Sequence, residues 1–478
     1  MNSLDYYRGT VVACRYVIPP GLRSPSRRRE LMDVVKAAVV EVISNQPMLQ
    51  VGLRGADSNK PVWVQLGSID LREHIEWRHL EDLEDLETPL RSVIESELDI
   101  QFQRVDSQPG WRLLVLHQQK LAADSLEILF TYNHPNADGT SGVIFHKDLF
   151  QSLNAAQEQQ SVHGGPILVL SEAVLRLPPP PEQWSRLPLS APFVLKSAWD
   201  EYRPSVFRMT PTLAHWAPIV TSPCKTRVRE FSVDNNLLTN VLTACRKHNT
   251  TITGLLHSLA LVSFASHIDE AIAPAFEGGT PINLRNVLLS KHPEYPGLTL
   301  KKTMGNYVTM MSHKFGAALV AQIRSRIDPR DTANSLSPEL VNLMWDSAAK
   351  VRKEIRSRLD EGVKNDQVGL MKLVGDWRAQ LKGKAGKPRR LSWSVTNVGV
   401  IEGRCASSSA AQDKSWSIRR AQLGVSAEVP GPALFISALS VAGERLTISC
   451  SWQEGVINVM VVERIAADLQ KWLARIGS

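Results

Sequence analysis

SLEILFTYNHPNADGTSGVIFHKDLF, residues 125–150, is the stretch around which the chain is organised. Leu126, Ile128, Phe130 and Tyr132 alternate with Glu127, Leu129, Thr131 and Asn133, and this alternation predicts a half-buried strand. The strand stops at His134-Pro135-Asn136-Ala137-Asp138-Gly139. Pro135 fixes its own φ and pushes His134 out of the helical region, so the imidazole is expected at a strand end, projecting into open space. Gly139 is expected to adopt a backbone angle that other residues resist. Thr140 and Ser141 are candidate caps for a following helix, whose apolar Phe145, Leu149 and Leu153 fall on one side. A histidine held between a strand and a helix suits a general base, because its unperturbed pKa lies near working pH. Asp138 is too close in sequence to be the separate orienting residue of a triad, and is better placed to pin the loop by pairing with a distant arginine. Taken alone, both side chains also fit ordinary turn residues.

Four later segments give the hexapeptide its context: Pro281-Ile282-Asn283-Leu284-Arg285, Gly305-Asn306-Tyr307, Thr396-Asn397-Val398-Gly399 and Ser451-Trp452-Gln453-Glu454-Gly455. In this order they resemble the CoA-dependent acyltransferase superfamily with its HxxxDG motif. That group includes plant BAHD enzymes, peptide-synthetase condensation domains and fungal alcohol O-acetyltransferases. The last two segments look most like the fungal alcohol acetyltransferase branch. The DFGWG motif of the plant enzymes is not found near the C-terminus, which excludes the plant branch and leaves the chemistry intact.

The resemblance implies an α/β (α+β) fold of two chloramphenicol-acetyltransferase-like lobes, each a mixed, largely antiparallel sheet with flanking helices. A tunnel between them would have His134 at its middle as general base. Asp138, Gly139 and Arg285 would support the site, Asp138 through a salt bridge to Arg285. Tyr132, Asn306, Thr396 and Asn397 become candidate substrate or oxyanion contacts. The implied reaction is acyl-CoA-dependent O-acylation, with acetyl-CoA as co-substrate, no bound cofactor and no metal. The acceptor would be a hydroxyl on a hydrophobic small molecule, such as a terpenoid or polyketide alcohol of fungal secondary metabolism. Two alternatives stay open: condensation-type transfer from a carrier protein, and a non-catalytic relative that binds a small molecule.

The 478 residues suffice for about three average domains or two large ones. Hydrophobic residues at 43% and charged residues at 22% are ordinary globular values that predict a sizeable core. A net charge of +7 spread over this length does not mark a nucleic-acid binder, though it would help attract an anionic substrate. Lys382, Lys384, Lys387, Arg389 and Arg390 stand in a glycine-bearing loop and could meet the CoA phosphate; a solvated loop is the plainer reading. The five cysteines are scattered without metal spacing, which suggests reduced thiols and a cytoplasmic location. No secretory signal or membrane span is apparent. A monomer is expected.

Three regions are expected: a first lobe over 1–174, an extended crossover over 175–215, and a second lobe over 216–478. The crossover holds Pro178 to Pro181 in a row, with Pro188, Pro192 and Pro204 beyond, which argues against helix or central strand. Trp184, Phe193 and Trp199 indicate that it packs on something. The acidic run from Glu81 to Glu97 reads as a solvated helical face. Leu446, Ile448, Cys450 and Trp452 alternate with Thr447, Ser449 and Ser451, which predicts a one-sided strand. Leu340, Met344, Ala348, Val351, Ile355 and Leu359 form the core stripe of a long helix begun by Ser337 and Pro338.

Overall fold

The computed structural model describes residues 2–58, 60–80, 87–118, 124–155, 165–202, 210–327, 337–404 and 415–478. Two mixed sheets carry the chain. Their strands are β1 (Thr10–Val17), β2 (Ile75–Leu80), β3 (Trp111–Gln118), β4 (Ser125–Tyr132), β5 (Thr226–Val233), β6 (Phe276–Asn283), β7 (Val308–Phe315), β8 (Trp393–Ile401), β9 (Ser417–Val425), β10 (Leu434–Val441) and β11 (Leu446–Gln453). The first sheet runs β9-β1-β4-β3-β2 and the second β5-β11-β10-β8-β6-β7. Only β2 with β3, β8 with β10 and β6 with β8 pair in parallel. The expected mixed, largely antiparallel lobes are therefore present. One strand crosses over: β9 comes from the late part of the chain, yet it pairs with β1 from Thr10↔Val425 to Val17↔Ser417.

The principal helices are α1 (Arg28–Asn45), α2 (Glu87–Leu98), α3 (Gly139–Ala155), α4 (Ala191–Tyr202), α5 (Asn235–Lys247), α6 (Ile252–His267), α7 (Pro338–Asp360), α8 (Trp377–Lys382) and α9 (Val459–Gly477). Helices α1 and α3 cover one face of the first sheet, and α5, α6, α7 and α9 cover the second. Ser337 caps α7 through Leu340 N, with Pro338 in the first turn, where a missing N–H leaves nothing unpaired.

Four expectations change. Strand β4 is central and buried on both faces: Leu126, Ile128, Phe130 and Tyr132 pack under α1 and α3, while Leu129 packs with Leu90, Ile94 and Leu98 of α2. Strand β11 is likewise buried throughout, and its polar face meets the first lobe, where Ser451 Oγ donates to Val425 O at 2.8 Å. Within the acidic run, residues 81–86 lie outside the described residues, and α2 is no solvated face. Glu97 is 1% exposed, accepts from Thr131 Oγ1 at 2.9 Å and pairs with Arg112 at 3.3 Å. Glu95 accepts from Val228 N at 2.8 Å, and Arg91 pairs with Glu230 at 3.1 Å, so α2 joins the lobes. Finally, the crossover is not wholly extended, because α4 forms with Pro192 in its first turn, where proline is tolerated. Trp184 is buried, whereas Trp199 is about half exposed. Pro204 lies outside the described residues.

Candidate active site

The loop between β4 and α3 is clamped through one carboxylate. Asp138 Oδ1 accepts from Ser141 N and Ser141 Oγ, both at 2.9 Å, so Asp138 itself caps α3 rather than Thr140 or Ser141. Its Oδ2 accepts from Arg285 Nη1 at 2.6 Å and from Tyr307 N at 2.8 Å. Arg285, 147 residues further along, also donates to Leu300 O at 3.1 Å and Gly305 O at 2.9 Å, and lies 4.7 Å over the Tyr307 ring. Both charges are buried, at 5% and 1% side-chain exposure. A carboxylate with four donors is fully engaged as an acceptor, and its paired charge is neutralised in place.

His134, four residues before, is differently placed. It is half-buried. Its ring meets Tyr7 edge-on at 5.0 Å, and Asn306 Nδ2 stands 3.0 Å from Nδ1 and donates to the His134 carbonyl at 3.1 Å. Desolvation lowers its pKa, opposed by the Asp138 charge and a hydrogen bond to its own backbone. The ring is thus neutral at neutral pH, the form a base requires.

Two nearby expectations are corrected. Tyr132 is fully buried and its hydroxyl donates to Asp138 O at 2.8 Å, so it braces the loop instead of facing a substrate. Gly139 is not in the left-handed region; it supplies room, since a Cβ there would come within 2.8 Å of Val398 Cγ1.

The family model described as "AATase: Alcohol acetyltransferase" matches residues 80–454. The chain belongs to this family. It is accordingly an acyltransferase. It is 25% identical over 96% of its length to "Probable alcohol acetyltransferase FCK4" of Fusarium pseudograminearum, covering 89% of that protein. It is 23% identical over 94% of its length to "Probable alcohol acetyltransferase crmB" of Aspergillus fumigatus, covering 92% of that protein. Among solved structures, TRI3 trichothecene 15-O-acetyltransferase of Fusarium sporotrichioides superposes with a TM-score of 0.70 at 14% identity, covering 99% of this chain and 92% of that one. The condensation domain of the Monacolin K polyketide synthase MokA gives 0.57 at 10% identity, covering 99% and 92%. The fold is therefore that of the CoA-dependent acyltransferase superfamily.

In this alcohol acetyltransferase family member, the Thr396-Gly399 segment does lie against the loop, through Val398 on Gly139. Asn397 turns elsewhere: Nδ2 donates to Thr253 Oγ1 at 3.2 Å and Oδ1 accepts from Gly399 N at 3.0 Å. No hydrogen bond among the described residues joins Thr396 or Asn397 to His134. The cationic loop divides. Arg389 is buried, donates to Val429 O, Gly431 O and Gln453 Oε1, and has its pKa lowered by burial to about 10, so it is structural and cannot meet a phosphate. Arg390 pairs with Glu277 at 3.1 Å. Lys384 is half-buried and Lys387 exposed.

Lys382 is exposed and lines a cavity of about 540 Å³ with Arg378, Arg8, Asp5, Gln101, Phe102 and Tyr7, in which Arg8 is paired with Asp5 at 2.8 Å. Arg378 and Lys382 are four residues apart on α8 and share a face. Tyr7 lines this cavity and also touches His134. Sequence reading missed Tyr7, which precedes β1 and belongs to no periodic element. It also missed Gln46, whose Oε1 accepts from Met304 N and whose Nε2 donates to Lys302 O, both at 3.0 Å, tying α1 to the loop that carries Asn306. Among the described residues no group of three or more metal-ligating side chains occurs, and no helix is long and apolar enough to cross a membrane.

Proposed function

We propose that the chain transfers an acetyl group from acetyl-CoA to a hydroxyl of a hydrophobic fungal metabolite, directly, with His134 as general base. One observation carries this reading: the half-buried imidazole of His134 meets Tyr7, which lines a cavity that also holds Arg378, Lys382 and the Arg8–Asp5 pair, while the neighbouring carboxylate is fully occupied by four donors. His134 takes the acceptor's hydroxyl proton as the oxygen attacks the thioester carbonyl. Collapse of the tetrahedral adduct breaks the C–S bond, and the ring returns its proton to the CoA thiolate. Such base assistance supplies about 10²- to 10⁴-fold, and positioning must supply the rest. The alcohol acetyltransferase names of the relatives and the 15-O-acetylation of a trichothecene by the structural neighbour favour a metabolite hydroxyl as acceptor. Acetyl-CoA consumption assayed against a panel of terpenoid, polyketide and short-chain alcohols tests it; acceptance of acyl groups only from a carrier protein would overturn it.

The cavity beside Tyr7 is the proposed seat of the anionic co-substrate. Reversing both cations, Arg378→Glu with Lys382→Glu, is expected to raise KM for acetyl-CoA about tenfold or more, with kcat and the KM of the alcohol little changed. An unchanged KM for acetyl-CoA places the phosphates elsewhere.

The lowered pKa of His134 sets the pH dependence. A base works when deprotonated, so kcat/KM should be flat at neutral pH and fall only as pH drops through a value below the ordinary 6.5. Stability moves in the same direction. The unfolded ring titrates at its ordinary value, so folding loses free energy as pH falls from 6.5 toward the folded value. His146, whose pKa burial lowers to about 4, extends that loss further down. A pH–rate profile on enzyme whose folding is checked at each pH separates the two. An acid limb centred above 6.5 contradicts the assignment.

A further inference from the structure

We propose that Asn306 decides which ring nitrogen of His134 meets the acceptor, and so acts as the positioning residue of the base. This rests on His134 being that base. The Nδ1 edge of the ring faces the Asn306 carboxamide at 3.0 Å, and the same amide nitrogen reaches the His134 carbonyl at 3.1 Å. No hydrogen bond among the described residues reaches Nε2. The acceptor therefore meets Nε2, and a neutral ring can accept a proton there only if its own proton sits on Nδ1.

Two groups compete for that proton's place. The His134 carbonyl favours Nδ1–H, because the ring can donate to its own backbone. An amide N–H from Asn306 aimed at Nδ1 favours the opposite tautomer, with the proton on Nε2 and the base silenced. A half-turn of the carboxamide presents Oδ1 to Nδ1–H and arms the base, at the expense of setting that oxygen against the His134 carbonyl. The amide thus has two settings, and only one is competent. Its position is fixed by the segment that carries it: Gly305 O accepts from Arg285 at 2.9 Å, and Tyr307 N donates to Asp138 at 2.8 Å. Asn306 consequently registers the second lobe against the ring of the first.

Protein labelled with ¹⁵N-histidine reports the tautomer directly, independently of turnover. Wild type, Asn306→Ala and Asn306→Asp are compared well above the ring's pKa. Asn306→Ala is expected to mix the tautomers and lower kcat about 10- to 100-fold, with KM for acetyl-CoA and the melting temperature unchanged. Asn306→Asp, an acceptor only, is expected to hold Nδ1–H and move the acid limb of the pH profile up by about one unit or more. Should the alanine variant fold poorly, the aspartate variant carries the same test. Ring ¹⁵N shifts and acid limbs identical to wild type in both variants would overturn the proposal. Retained turnover in His134→Ala would instead remove the base reading, while the ¹⁵N shifts still report whether Asn306 orients the ring.

Discussion

His134→Ala is expected to lower turnover by about 10³-fold while the protein melts within a few degrees of wild type. The kinetic half follows from the step proposed for the ring: without it the acceptor hydroxyl would keep its proton during attack, and the share of rate due to general base catalysis, about 10² to 10⁴, would be lost. What remains comes from holding alcohol and thioester together. The stability half follows from placement. The ring is half-buried, and its contacts are the Asn306 amide and an edge-on meeting with Tyr7, at the margin of the first lobe's core. Truncation at such a position typically costs about 0.5 kcal/mol or little more. KM for acetyl-CoA should hardly move, since Arg378 and Lys382, the cations proposed to meet it, lie on another element, α8. A variant that folds and still turns over within tenfold of wild type would remove His134 from the chemistry.

The fold was legible where local chemistry and packing agree. Ser337 with Pro338 marks a helix start in the sequence because the cap is made by neighbours within one turn. What alternation could not reveal was the partner of a strand's second face. Leu129 and Ser451 look like surface or mixed positions, yet α2 and β9 cover them, and those elements come from distant parts of the chain. The same blindness made α2 look solvated. Glu95 and Glu97 carry charge, but their counterparts Arg227 and Arg112 are remote in sequence, and pairing is a tertiary fact. Proline count misled in α4 for a different reason: one proline in a first turn is neutral, and only interior prolines break a helix.

The site divides along similar lines. The hexapeptide and the Arg285 segment carried their geometry in their order along the chain. The roles of Tyr132, Arg389 and Asn306 did not show, because residue type does not say whether a hydroxyl or guanidinium is already engaged. Arg389 and Lys382 stand in one cationic run, yet one is sunk beneath the 428–431 turn and the other lines the cavity. Asn306 lies in a recognisable segment, but its reach to Nδ1 depends on where the second lobe's loop sits over the first.

Removing one partner of the buried clamp should act on the fold before it acts on the chemistry. Asp138→Ala leaves Arg285, at 1% side-chain exposure, with no carboxylate, and Arg285→Ala leaves the Asp138 carboxylate uncompensated. Each is expected to cost about 3 to 5 kcal/mol of stability. The cost of Asp138→Ala includes its cap on α3 and the amide of Tyr307, so it should lie at the upper end. Removing both together leaves no unpaired charge, so the double variant should be markedly less destabilised than the sum of the singles, a coupling of about 1 to 3 kcal/mol in a denaturation cycle. Activity falls in all three, because the loop that bears His134 is held from this carboxylate. The distinguishing measurement is the pairing of the two readouts: His134→Ala loses turnover at full stability, and the clamp variants lose both. If Asp138→Ala and Arg285→Ala melt with His134→Ala, the carboxylate is not what fixes the loop, and Asp138 must be given a part in the proton transfer itself.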